Sequence, residues 1–216
     1  MDHEEGSSTS SATKAIIALA FFIAAVSLYI ILMVDLPSKS IAGRGGIHDD
    51  VPIGGNFTLT DQNGNKFSSD QMKGRLSLVY FGFTYCPDIC PTSLNKISEI
   101  INILDKYQID VLPIFISVDS DRDTSAILKE YLLHFHPKFI GLTGNAEEIR
   151  YVAELYKVFY AKVAPSATPA SSNSGKDYMI DHSSFVYLMG RDGKYLKHFY
   201  ISSSVEEIVE YIRINK

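Results

Sequence analysis

Cys86 and Cys90 are the only two cysteines in the chain, and they stand where an apolar run ends and a helical pattern begins. Before them lies RLSLVYFGF, rich in the β-branched and aromatic residues that fill a strand buried on both faces. After them, Pro91 opens SLNKISEIINILDKY, in which Leu94, Ile97, Ile100, Ile101 and Leu104 recur at helical spacing. A strand feeding a helix at this point predicts an α/β domain, and the end of a strand is where open α/β sheets carry their sites.

The remaining elements extend the alternation. FTLT, the turn DQNG with its Asn63-Gly64 pair, and KF predict an opening hairpin. VLPIFISV, TSAILKEYLLHF, FIGLTG and AEEIRYVAELYKVFY then read as strand, helix, strand and helix. SSFVYLMG and KYLKHFYI flank the turn Arg191-Asp192-Gly193, and SVEEIVEYIRIN closes the chain as a helix. This order predicts a thioredoxin-like α/β domain with a mixed central sheet over residues 56–216. At 216 residues and 46% apolar content the chain supports one such core. The stretch Ala161–Lys176 breaks the alternation as a Pro/Ser/Gly-rich loop, read equally as a functional cover or a tolerated surface insertion.

Upstream, residues 15–34 run AIIALAFFIAAVSLYIILMV without a charge, the length of apolar chain that a bilayer core requires. The expected organisation is an N-terminal tail at 1–14, a transmembrane helix at 15–34, a Gly/Ser/Pro-rich tether at 35–55, and the domain. The run is longer than the apolar part of a signal peptide, and no small-x-small cleavage site follows closely. Lys14 faces Lys39 and Arg44 across it, so charge alone does not orient the helix. The leader MDHEEGSSTSSAT is acidic and Ser-rich rather than Arg-rich, which points to a bacterial inner membrane and away from a transit peptide. A net charge of -5 with no basic cluster excludes nucleic acid as a partner.

Two cysteines exclude a multi-bridge scaffold, and a disulfide closing so short a loop would contribute only about 2 kcal/mol. Residues four apart on a helical turn share a face, close enough for one metal ion or for a disulfide, so both uses stay open. The helix N-terminus favours thiolate, so Cys90 at least is expected to be more acidic than a free cysteine. Two soft sulfur donors select copper(I), zinc or iron-sulfur chemistry; with only two cysteines, copper at low coordination number fits best.

Among six histidines, His182 in MIDHSSFVYL is the strongest third donor, although hydrogen bonding within the sheet is the commoner role for such a residue. His3, His48 and His198 read as solvated, and His134 and His136, before Pro137, as residues favourable at a helix C-terminus.

Taken together, YFGFTYCPDICP, SVDSDRDT, FIGLTG and DHSSFVYLMGRDGKYLKHF closely resemble the Sco/SenC family, copper-handling proteins of cytochrome c oxidase assembly, from roughly Ile53 to Tyr211. The resemblance implies a thioredoxin-like fold, with Cys86, Cys90 and His182 as copper ligands. It implies that Asp119 is an acidic position close to that site, orienting the ligands, where capping the next helix is its ordinary alternative. Ser120 stands where the family pattern commonly has proline, and the loop before His182 is Ser-rich rather than acidic.

The function implied is that of a membrane-anchored metallochaperone holding one Cu(I) or Cu(II) for the copper-bearing subunit of cytochrome c oxidase. The soluble domain is expected on the periplasmic side, with the lipid bilayer and a thiol reductant protein as further partners. The rival is a thiol-disulfide oxidoreductase using Cys86 and Cys90, against which stand the CxxxC spacing and DHS where thioredoxins present a cis-proline.

Overall fold

The computed structural model describes residues 11–33, 52–163 and 178–215. The expected tail up to Ser10, most of the tether, most of the 161–176 loop, His3 and His48 lie outside the described residues. The chain divides into two compact units, Met1–His48 and Asp49–Lys216.

The first unit holds α1, Ser11–Met33, a 23-residue helix. Its side chains are described from Lys14 to Tyr29 and all are exposed. Among the described residues no helix is long and apolar enough to cross a membrane, while the uncharged run in the sequence continues to Val34.

In the second unit the strands are β1 (Thr58–Asp61), β2 (Lys66–Ser68), β3 (Leu76–Gly82), β4 (Val111–Ser117), β5 (Ile140–Thr143), β6 (Tyr160–Val163), β7 (Met179–His182), β8 (Phe185–Met189) and β9 (Tyr195–Tyr200). The helices are α2 (Ile89–Lys106), α3 (Ser125–Leu132), α4 (Ala146–Tyr156) and α5 (Val205–Ile214). Seven strands form one sheet in the order β2-β1-β5-β4-β3-β8-β9. Strands β3, β4 and β5 run parallel, and β1 and β8 join them antiparallel, which is the mixed sheet expected.

Every residue of β3 and β4 is buried, as continuous apolar strands at the centre of a covered parallel sheet should be. Pro113 sits inside β4 without breaking it, because β5 pairs with β4 only from Ile114 onward. One face of α2 buries Leu94, Ile97, Ile100, Ile101 and Leu104 as the periodicity required. At 25 to 30 cal/mol per Å² of apolar surface removed from water, each such side chain contributes roughly 1.5–3 kcal/mol.

Three expectations are corrected. Helix α2 starts at Ile89, two residues before Pro91, so Cys90 lies inside its first turn. The helix read through Tyr160 stops at Tyr156, with Lys157 in the left-handed conformation at φ 57°, and Tyr160–Val163 is the strand β6. The aromatic and β-branched character of VFYAKV outweighs its continuation of the helical pattern. Strand β7 was unforeseen; it pairs with β6 in a separate two-stranded sheet that brackets the Ser-rich loop and ends on His182.

Candidate metal centre

Strand β3 delivers the chain to a turn in which the Cys86 N–H donates to the Phe83 carbonyl at 3.3 Å. Asp123, buried behind the turn, holds it in place. Its carboxylate accepts the Thr84 N–H at 2.9 Å, the Thr84 hydroxyl at 2.6 Å and the Ser117 hydroxyl at 2.6 Å.

Asp88 occupies the N-cap of α2 but makes no side-chain cap bond. The Cys86 sulfur takes that role, accepting the Cys90 N–H at 3.4 Å. A helix start that presents unpaired N–H groups stabilises negative charge, so the capping sulfur is favoured as thiolate.

Cys90 is fully buried in the first turn of α2. Its sulfur fits over β3 because position 82 is glycine: a Cβ there would lie 2.8 Å from Cys90 Sγ and 2.9 Å from Phe115 Cε2. The Tyr80 hydroxyl donates to the same sulfur at 3.9 Å.

His182, the last residue of β7, brings Nε2 to 3.6 Å from Cys90 Sγ. Its Nδ1 lies 3.2 Å from the Ser183 carbonyl, which can only accept. A proton on Nδ1 satisfies that carbonyl, and Nε2 is the ring nitrogen that faces the two sulfurs. The rings of Tyr80 and Phe83 meet the imidazole edge-on at 6.2 and 5.9 Å.

The two thiols split in acidity. The hydrogen bond from Cys90, opposed by partial burial and reinforced by His182 and backbone N–H groups, lowers the Cys86 pKa to about 4. Cys90 moves up, because its proton is held by the Cys86 sulfur and burial penalises a second thiolate. The expectation that Cys90 at least would be more acidic than a free cysteine is thus reversed for Cys90, and it is Cys86 that is acidic. The Cys90 thiol supplies the larger share of this shift, and the helix-start N–H of Cys90 adds to it at the Cys86 sulfur, outside the helix.

Asp119, fully buried, does not cap α3, whose N-cap is Thr124. Its carboxylate accepts from Arg122 Nε at 2.5 Å and from the Tyr178 hydroxyl at 2.6 Å. It therefore reaches the His182 strand through Tyr178, one residue before β7.

The other described histidines bond elsewhere. The His134 N–H donates to the Tyr131 carbonyl, and His136 Nδ1 accepts the Lys138 N–H at 3.2 Å, a turn role beyond the helix end. His198, read as solvated, is half-buried among Phe185, Tyr187 and Tyr200, with Nδ1 2.6 Å from the Tyr195 hydroxyl. Sequence reading also missed Asp123 and Gly82. The signals were present in the polar Ser117 and Thr84 at the ends of two apolar strands and in a glycine interrupting an aromatic one.

Among the described residues no group of three His, Cys, Asp or Glu side chains could hold a metal ion as it stands. The donors of this site hydrogen-bond to one another, and those shared protons are what a metal would displace. Two sulfurs and one neutral imidazole nitrogen suit a soft, low-coordinate ion.

The SCO1/SenC family profile matches residues 46–214. The chain is 54% identical over 207 residues to an SCO2-like protein of Rickettsia felis, covering 95% of this chain and 98% of the relative. Among solved structures, copper-bound ScoI of Bradyrhizobium japonicum is 41% identical with a TM-score of 0.66, covering 75% of this chain and 98% of that one. BsSco, described as a member of the Sco family of cytochrome c oxidase assembly proteins with a disulfide switch, is 26% identical with a TM-score of 0.58, covering 76% and 94%. These likenesses support the thioredoxin-like α/β fold with its mixed sheet.

Proposed function

This chain belongs to the SCO1/SenC family, and from that premise we propose that it is a membrane-anchored metallochaperone that binds one copper ion and supports metallation of cytochrome c oxidase. The observation that carries the reading is the 3.6 Å approach of His182 Nε2 to Cys90 Sγ, beside the thiolate-prone Cys86. In this reading Cys86, Cys90 and His182 hold Cu(I) or Cu(II), and Asp119 orients the His182 strand. Copper is cargo here. A set of three protein ligands leaves room for a thiolate of the acceptor subunit to join before a donor of this chain lets go.

Residues 15–34 serve as the anchor in the lipid bilayer, 35–55 as the tether, and 56–216 as the copper-binding domain on the periplasmic side. The uncharged sequence run supports this, since twenty apolar residues extend about 30 Å as a helix at 1.5 Å per residue, the thickness of a bilayer core. A reporter fused after Lys216 tests the topology: alkaline phosphatase should be active there, and an inactive fusion contradicts the periplasmic assignment.

A second reading, thiol-disulfide oxidoreductase, is favoured by the split acidity of the pair. The Cys86 thiolate would attack a disulfide of the oxidase subunit, form a mixed disulfide and expel one client thiolate. Cys90, giving up its proton, would then attack Cys86 and release the second. The client gains two electrons, the pair becomes a disulfide, and a thiol reductant protein must restore it. His182→Ala separates the readings: loss of copper with disulfide exchange intact favours the chaperone, and loss of exchange with copper retained favours the oxidoreductase.

A further inference from the structure

Strand β7 carries His182, yet β6 and β7 form a sheet of only two strands, and a lone two-stranded hairpin is marginal in water. Besides Ile180, buried in the core, and the approach of His182 to Cys90, polar ties from the hairpin and the residue before β7 run to the segment 119–122 that follows β4. Lys162 of β6 pairs with Asp121 at 2.5 Å, and the Tyr178 hydroxyl reaches Asp119.

Arg122 joins these ties to the cysteine side. Its Nε donates to Asp119, its Nη1 donates to the Tyr178 carbonyl at 2.9 Å, and its guanidinium lies 3.8 Å from the Tyr178 ring centre. The same guanidinium lies 4.8 Å from the ring of Tyr85, the residue before Cys86, and 5.8 Å from that of Phe83, which touches His182. One planar cation thus contacts the turn that holds one sulfur and the strand that holds the imidazole.

We propose that Arg122 is a positioning residue for the candidate metal centre, fastening the Cys86 turn and the His182 strand to each other through Tyr85, Tyr178 and Asp119. Lysine would keep the charge but lose the flat face that stacks on a tyrosine ring and the fork that bonds two oxygens at once. The inference rests on the reading of Cys86, Cys90 and His182 as the copper ligands.

The test is Arg122→Lys, with Arg122→Ala beside it, in the reduced full chain in detergent. Without copper, amide hydrogen exchange is followed residue by residue. In Arg122→Lys the amides of β6 and β7 should exchange about tenfold faster, while those of β3 and β4 keep their wild-type protection. With Cu(II) bound, the nitrogen coupling from imidazole in the paramagnetic resonance spectrum should weaken while the sulfur-to-copper absorption persists. Unchanged hairpin exchange, or equal acceleration in β3 and β4, overturns the proposal, the latter marking Arg122 as a general stabiliser. If the wild type takes up no copper, the chaperone reading fails on its own account, and the exchange pattern still decides the role of Arg122.

Discussion

Cys90 Sγ and His182 Nε2 lie 3.6 Å apart although 92 residues separate them in the chain. One sits in the first turn of a helix opened by a buried strand, the other at the end of a strand outside the main sheet. Because Nδ1 of His182 is turned to the Ser183 carbonyl, Nε2 is the ring nitrogen left to face the sulfur side. The contact is therefore a chemical orientation as well as a proximity, and its supports can be tested one at a time.

Gly82→Ala places a Cβ 2.8 Å from Cys90 Sγ and 2.9 Å from Phe115 Cε2, both fully buried, so the sulfur or the ring must shift within a packed core. Overpacking at such a site costs about 1–3 kcal/mol. Thermal unfolding should show the loss, and copper uptake should weaken as the sulfur is displaced. An unchanged melting temperature would mean that the sulfur has another place to go.

Cys86, with its pKa lowered from 9.0 to about 4, should react with iodoacetamide in the reduced metal-free chain at nearly constant rate between about pH 6 and 8, whereas buried Cys90 stays unlabelled. His182→Ala should raise the apparent pKa. The sign for stability follows: between pH 4 and 9 the folded chain holds less proton on Cys86 than the unfolded chain. Its contribution is full above pH 9 and is lost as pH falls toward 4. Labelling that climbs tenfold per pH unit up to pH 8 would contradict the assignment.

Asp123→Ala strands three donors, the Thr84 N–H, the Thr84 hydroxyl and the Ser117 hydroxyl. Leaving them unpaired should cost about 2–4 kcal/mol in denaturant unfolding. The turn bearing Cys86 should also exchange its amides faster. A variant as stable as the wild type would show that water replaces the carboxylate.

Removing residues 1–34 should convert a chain that sediments with membranes and resists carbonate extraction into one that stays in the supernatant. The freed domain should keep its unfolding transition, since its core lies within Asp49–Lys216. Sedimentation of the shortened chain with membranes would place the attachment elsewhere.

The α/β order and the mixed sheet were legible because hydrophobic periodicity reports burial, and burial governs β3, β4 and α2. The pair β6 and β7 was less so: a four-residue strand after a helix looks like more helix until tertiary pairing decides it. Residue type and family resemblance nominated the candidate donors, but the roles within the cysteine pair could not be read. Which thiol is acidic depends first on which sulfur accepts the other's proton and then on which receives the Cys90 N–H, a matter of turn geometry that CPDIC does not express. Asp123 and Arg122 stayed hidden because their partners are Thr84, Tyr85 and Tyr178, distant in sequence.

The central claim is most directly tested by copper stoichiometry and affinity on the reduced chain beside Cys86→Ser, Cys90→Ser and His182→Ala. The account predicts one tightly held copper per wild-type chain and its loss in each variant. No copper in the reduced wild type, or full retention in His182→Ala, would contradict it.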